Sequence, residues 1–166
     1  MNASRDRFQT LLGQHEKIVF KVANMYCRNA EDKRDLVQEI CVQAWRSFGS
    51  YDATRSFSTW MYRIALNVAI SFARSAGLRE RHAVPLDEAA HDIADDRASP
   101  HDTDDRVRAL HHFIDGLDAL NRALMLLYLE DRSYREIAEV LGITETNVAT
   151  KINRLKQRIR SGIAED

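Results

Sequence analysis

The stretch from Ser133 to Arg160 constrains this chain most, because its residues fall into two short helices around a tight turn, the second helix ending in a dense run of cations. Ser133 followed three residues later by Glu136 is a capping-box pattern, which predicts a helix from about Tyr134. Ile137, Ala138 and Leu141 recur at helical spacing and supply one buried face. Gly142 then has the conformational freedom to end the helix. The turn is Gly142-Ile143-Thr144, and Thr144 is placed to cap a second helix. There Val148, Ile152, Leu155 and Ile159 fall at i, i+4, i+7 and i+11, a continuous inward stripe.

The other side of that second helix carries Asn147, Thr150, Lys151, Asn153, Arg154 and Arg158. These side chains can hydrogen-bond base edges or neutralise phosphates when a helix lies in a major groove. A basic amphipathic helix alone is equally at home as a solvated surface. The capped partner helix and the turn are what point to a helix-turn-helix that binds DNA.

Charge and punctuation divide the 166 residues in two. The chain contains two prolines, Pro85 and Pro100, both within 76–105, a stretch without sustained helical periodicity. Residues 1–75 carry 11 Lys and Arg against 7 Asp and Glu, 76–105 carry 3 against 9, and 106–166 carry 10 against 9. The expectation is an all-α protein: a helical domain over 1–75, a flexible acidic linker over 76–105, and a second helical domain over 106–166. Cys27 and Cys41 are too few for a disulfide framework or a zinc site, and two buried reduced thiols fit a cytoplasmic protein. No apolar run reaches membrane-spanning length, and the polar N-terminus lacks the core of a signal peptide, so neither membrane insertion nor export is expected.

In the N-terminal half, Phe8, Leu11, Leu12, Ile18, Val19, Val22 and Tyr26 mark one amphipathic helix. Leu36, Val37, Ile40, Ala44, Trp45 and Phe48 mark a second. A third runs from about Phe57 to Phe72, with Phe57, Met61, Ile64, Ala65 and Val68 inward and Trp60, Arg63 and Asn67 sharing another face. An indole, a guanidinium and an amide side by side suit single-stranded DNA, through stacking, phosphate binding and base-edge reading. Ordinary core packing of Trp60 is the plain alternative. Leu117 to Glu130, almost continuously apolar, reads as the helix on which the two helices after it rest.

Two long runs carry a family resemblance. Asp35-Leu-Val-Gln-Glu-Ile-Cys-Val-Gln-Ala-Trp-Arg46, followed by Tyr51-Asp-Ala-Thr-Arg-Ser-Phe-Ser-Thr-Trp-Met-Tyr-Arg-Ile-Ala-Leu-Asn67, resembles conserved region 2 of bacterial extracytoplasmic-function sigma factors. The C-terminal helix-turn-helix resembles their region 4. Together the similarity covers about residues 8–75 and 106–160.

It implies a dissociable, non-enzymatic subunit, without cofactor or metal, that joins core RNA polymerase and directs it to promoter DNA. Carried over position by position, it gives Asp35, Gln38 and Glu39 to the polymerase surface, a compact patch in which Asp35 and Glu39 lie one turn apart. Tyr51, Asp52, Ala53, Thr54, Arg55 and Ser56 match the loop that captures a flipped base of the minus-10 element, with Trp60, Arg63 and Asn67 at the upstream edge of the melted strand. Base unstacking costs a few kcal/mol, which pocket contacts and stacking must recover without ATP. Asn147, Thr150, Lys151, Asn153, Arg154, Lys156 and Arg158, with Tyr134 and Arg135, are assigned to the minus-35 duplex. Ala149 and Ile70 depart from the pattern, standing where relatives carry cations. An anti-sigma factor is a further implied partner, since two small domains on a linker are readily clamped.

Two other classes compete. A conventional operator-binding regulator would leave the Trp60, Arg63 and Asn67 face without a role. An enzyme would need His111-His112 or the acids of 102–105 to bind metal, yet neither cluster has a ligand spacing or a second reacting group.

Overall fold

Side-chain caps mark where half of the helices start. The computed structural model describes residues 2–82 and 105–164, which form eight α-helices and no strand. The first unit holds α1 (Asn2–Gln14), α2 (Glu16–Tyr26), α3 (Ala30–Ser47), a short 3-10 turn at Phe48–Ser50, and α4 (Phe57–His82). The second holds α5 (Asp105–Asp115), α6 (Ala119–Leu129), α7 (Tyr134–Leu141) and α8 (Glu145–Ala164). Asn29 Oδ1 accepts the Asp32 amide at the start of α3, Asp118 Oδ1 accepts the Asn121 amide at α6, and Ser133 Oγ accepts the Glu136 amide at α7. Each satisfies a donor that the helix cannot pair itself.

The helix-turn-helix forms as its sequence predicts. Gly142 sits in the left-handed region at φ 69°, and its amide returns to the Ala138 carbonyl at 2.9 Å. Thr144 Oγ1 accepts the Asn147 amide at 3.1 Å to open α8. Val148, Ile152 and Leu155 are buried and Ile159 half-buried. A Cβ at residue 142 would meet no neighbouring atom, so only backbone strain opposes a side chain there. Gly142→Ala is therefore expected to cost about 1 kcal/mol, seen as a lower Tm with unchanged helix content by circular dichroism; an unaltered Tm would mean that the turn relaxes.

Three expectations need correction. The single helix expected across Phe8 to Tyr26 is two, broken at His15, whose Nδ1 donates to the Leu11 carbonyl at 2.9 Å and whose ring lies 4.8 Å from that of Phe57. Gly13, a weak helix former, precedes the break. The third helix does not stop near Phe72 but continues to His82, into the stretch read as linker. Residues 83–104, which hold the rest of that stretch and most of the acidic cluster at 102–105, lie outside the described residues.

The third correction concerns packing. Periodicity places Ile64 and Val68 inward, but the fully buried residues of α4 are Met61, Tyr62, Ala65, Leu66 and Ala69, with Ile64 and Val68 half-exposed. The reason is that α4 packs on α2 and α3 in its own unit and on α6 and α7 of the other. A single hydrophobic core runs through both units. The same contact explains Val140, which is buried on α7 outside the stripe the sequence marks. Trp45, expected inward, is 45 % exposed and lies 5.2 Å ring to ring from Phe8.

Candidate nucleic-acid and polymerase interfaces

Between the C-terminal end of α3 and α4 the chain makes a short irregular passage, and its local hydrogen bonds set its shape. The Tyr51 amide closes the 3-10 turn onto the Phe48 carbonyl, and the Arg55 amide bonds the Asp52 carbonyl. Asp52 Oδ1 accepts both the amide (2.9 Å) and the hydroxyl (2.7 Å) of Thr54. Those bonds, the hydroxyl first, hold the Asp52 carboxyl below its ordinary pKa, so it is a fixed anion of the turn. The Tyr51 hydroxyl donates to the Arg55 carbonyl at 2.9 Å. Ser56 accepts the Trp60 amide through its carbonyl at the start of α4. Ala53, Thr54, Arg55 and Ser56 are left exposed around this scaffold.

Next to the loop is an aromatic platform. Trp60 lies 5.1 Å from Tyr51, 5.3 Å from Phe57 and 6.2 Å from Phe48, ring to ring, and Tyr51 stacks on Phe48 at an interplanar angle of 17°. Trp60 is neither buried core nor free surface: one side is held by these rings and the rest is open. Arg63 and Asn67 follow it, exposed, along α4. Tyr51, Asp52, Arg55, Ser56, Trp60, Arg63 and Asn67 all line one cleft of about 1480 Å³. The structure thus brings together all the residues expected at the minus-10 site except Ala53 and Thr54, which stand beside it on the loop. Sequence reasoning missed that Arg135 and Glu139 of α7 line the same cleft.

On α3, Asp35, Gln38 and Glu39 are exposed, as are Val42 and Trp45 further along the helix. Gln38 also borders an apolar groove with Phe20 and Val37, while Glu39 borders the cleft. The three polar side chains are accessible to a basic partner.

On α8, Asn147, Thr150, Asn153 and Arg154 are exposed and Lys151 half-exposed, opposite the buried stripe. Two of the expected DNA contacts also touch rings of the protein itself. Lys156 Nζ lies 4.8 Å from the ring centroid of Tyr128 on α6, and a hydrogen bond with that tyrosine raises its pKa. Arg158 stacks 5.4 Å over Phe113 of α5. Both flank the inward stripe. Gln157 and Arg160 are also exposed on α8; neither was picked out by type, and Gln157, three residues beyond Arg154, shares its side of the helix. Tyr134 is half-buried and Arg135 exposed at the start of α7. Ala149 is partly exposed on α8, and Ile70 packs against the core, which gives its apolar side chain a structural role.

Cys27 is buried and Cys41 half-buried, and both are free thiols. Burial pushes the Cys27 thiol up to about 11 and also raises that of Cys41, which suits packing rather than reactivity. Among the described residues no group of three His, Cys, Asp or Glu could hold a metal ion, and no helix is long and apolar enough to cross a membrane.

The fold couples an aromatic cleft to a helix-turn-helix, and comparison with known proteins says to which class it belongs. Residues 11–79 match the family model for sigma-70 region 2, and 107–159 match that for sigma-70 region 4. The chain is 30% identical to the ECF RNA polymerase sigma-E factor of Haemophilus influenzae, over 94% of its own length and 87% of the relative's. It is 29% identical to ECF sigma factor SigE of Mycolicibacterium smegmatis over 98% of its length, spanning 64% of that longer protein. Two solved structures share the fold: CnrH in complex with the cytosolic domain of CnrY (TM-score 0.67, 22% identity, 98% of this chain and 90% of that one), and the sigma factor RpoE with the anti-sigma factor NepR from Bartonella quintana (0.66, 20%, 100% and 99%). The chain belongs to the extracytoplasmic-function sigma factors of the sigma-70 family. Its function is that of an alternative sigma factor, a subunit that works with RNA polymerase and promoter DNA in transcription initiation.

Proposed function

We propose that the three surfaces divide the work of initiation. Asp35, Gln38 and Glu39 dock on a basic surface of core polymerase. The outer face of α8, centred on Asn147, Thr150, Asn153 and Arg154, reads the minus-35 duplex. The loop Tyr51 to Ser56, with Trp60, Arg63 and Asn67, traps the opened minus-10 strand. The observation that carries this reading is the aromatic platform. Trp60, propped by Tyr51, Phe57 and Phe48 and followed by an exposed guanidinium and amide, offers a π face and a phosphate partner on one rigid helix. A regulator acting on closed duplex has no use for that platform. In this reading the chemistry of RNA synthesis rests with the polymerase.

Base–aromatic stacking is worth about 1–3 kcal/mol per base. With reconstituted holoenzyme, Trp60→Ala is expected to reduce open-complex formation about tenfold on duplex promoter, read by permanganate reactivity of unpaired thymines. A template with the minus-10 segment already unpaired should recover part of the deficit, and Trp60→Phe, which keeps a ring, should lose less. Equal activity of Trp60→Ala and the parent on duplex promoter would contradict the role of Trp60.

An anti-sigma factor is proposed as a second partner. CnrH and Bartonella RpoE were each solved with a protein partner. Here Val42 and Trp45 on α3 and Leu129 on α6 expose apolar surface that such a partner would cover. Affinity capture from the native host that recovers core polymerase alone would count against it.

A further inference from the structure

The loop between α3 and α4 spends its hydroxyl protons on itself. The Tyr51 hydroxyl donates to the Arg55 carbonyl, the Thr54 hydroxyl to Asp52 Oδ1 at 2.7 Å, and the Ser50 hydroxyl to the Ser47 carbonyl at 2.7 Å. Ser56 and Ser58 pair their hydroxyls at 3.0 Å. What the side chains of this passage still offer a base is an acceptor. Asp52 is exposed and lines the cleft together with Trp60 and Arg63. Both bonds from Thr54, one from its amide and one from its hydroxyl, fall on Oδ1. Among the described residues no hydrogen bond engages Oδ2.

That arrangement fixes what Asp52 can read. An Asx turn ties the carboxyl group to the backbone two residues on, so Oδ2 has a set direction before any ligand arrives. The same bonds keep the carboxyl ionised at neutral pH, and an ionised carboxylate accepts hydrogen bonds without donating any. Bases differ in what they bring to such an oxygen. Cytosine carries an amine at N4 and adenine one at N6, both donors, whereas thymine presents the O4 carbonyl. The carboxylate bonds the amines and is repelled by the carbonyl. Its repulsion of phosphate is common to every sequence and leaves this order unchanged.

We propose that Asp52 selects the base the loop captures, taking one with an exocyclic amine, cytosine or adenine, through Oδ2 and rejecting thymine, while Thr54 orients the carboxylate. This rests on the strand reading of the Tyr51 to Ser56 loop proposed above. One charge-assisted hydrogen bond, set against a carbonyl left facing a carboxylate, separates otherwise matched bases by about fivefold or more.

The test uses reconstituted holoenzyme and a promoter whose minus-10 segment is already unpaired, so that strand opening does not enter the measured affinity. Each non-template position of that segment receives in turn the members of two matched pairs, cytosine with uracil and adenine with hypoxanthine, which exchange an amine for a carbonyl at one ring carbon. At one position the parent should bind the amine-bearing member about fivefold or more tightly, and the pair with the larger split identifies the base. Asp52→Asn keeps an oxygen for the two Thr54 bonds and turns the other atom into an N–H donor. Its preference should therefore invert toward the carbonyl-bearing member, with Tm unchanged. Asp52→Ala should abolish the preference. A parent preference that Asp52→Asn leaves as it is, or no preference at any position while Trp60→Ala still weakens binding to this template, would overturn the role of Asp52 and leave the strand reading standing. Binding indifferent to base identity, to Asp52→Asn and to Trp60→Ala together would overturn the strand reading as well.

Discussion

Replacing Ile152 with alanine is expected to lower the stability of the protein by about 2–5 kcal/mol. Ile152 is fully buried, midway along the inward stripe of α8 between Val148 and Leu155. Its side chain fills the space where α8 packs on α6 and α7. Truncation removes buried methyl and methylene groups and leaves a cavity that the three helices cannot close without losing their own contacts. Small domains hold only about 5–15 kcal/mol of net stability, so a loss of this size should bring a large drop in Tm and a weakened minus-35 complex. Thermal unfolding by circular dichroism measures the first and duplex-promoter binding the second. A loss below about 1 kcal/mol would mean that the neighbouring helices collapse onto the site and that the core there is loosely specified.

The second large effect is a double dissociation. Arg154→Ala removes an exposed guanidinium from the outer face of α8. A lost base or phosphate contact of this type should weaken minus-35 binding about tenfold and leave polymerase affinity unchanged. Glu39→Lys reverses charge on the exposed face of α3. Placing a cation against a basic partner should weaken core polymerase binding about tenfold or more, with minus-35 duplex binding by the isolated protein intact. Surface plasmon resonance with immobilised polymerase and with immobilised duplex gives the four values. Loss of both activities in either variant would contradict the division of surfaces.

What could be read in advance follows from the range of the interactions involved. The helix-turn-helix was legible because its determinants are local: Ser133, Gly142 and Thr144 each act on a backbone group within four residues. The shared face of Trp60, Arg63 and Asn67 followed from helical spacing alone. What periodicity could not show was a partner on the far side of a helix. Tyr62, Leu66 and Ala69 are buried where α4 meets two neighbours in its own unit and two in the other, and Val140 is buried on α7, which packs on α4. A stripe calculated for a helix with one apolar face must misplace such residues. Lys156 and Arg158 illustrate a related limit. Both have the side chain a DNA contact needs, and both also lie against rings of the protein, Tyr128 and Phe113, which spacing does not show.

The central claim is that one chain carries polymerase docking, strand capture and duplex reading, and transcription itself tests it most directly. Purified core polymerase should be run off fragmented genomic DNA of the native host with and without this protein. The account predicts discrete transcripts that appear only when the protein is present, fall with Glu39→Lys through loss of docking, and fall with Arg154→Ala through loss of minus-35 binding. The same transcript pattern with and without the protein, under conditions where it binds duplex DNA unaided, would contradict it.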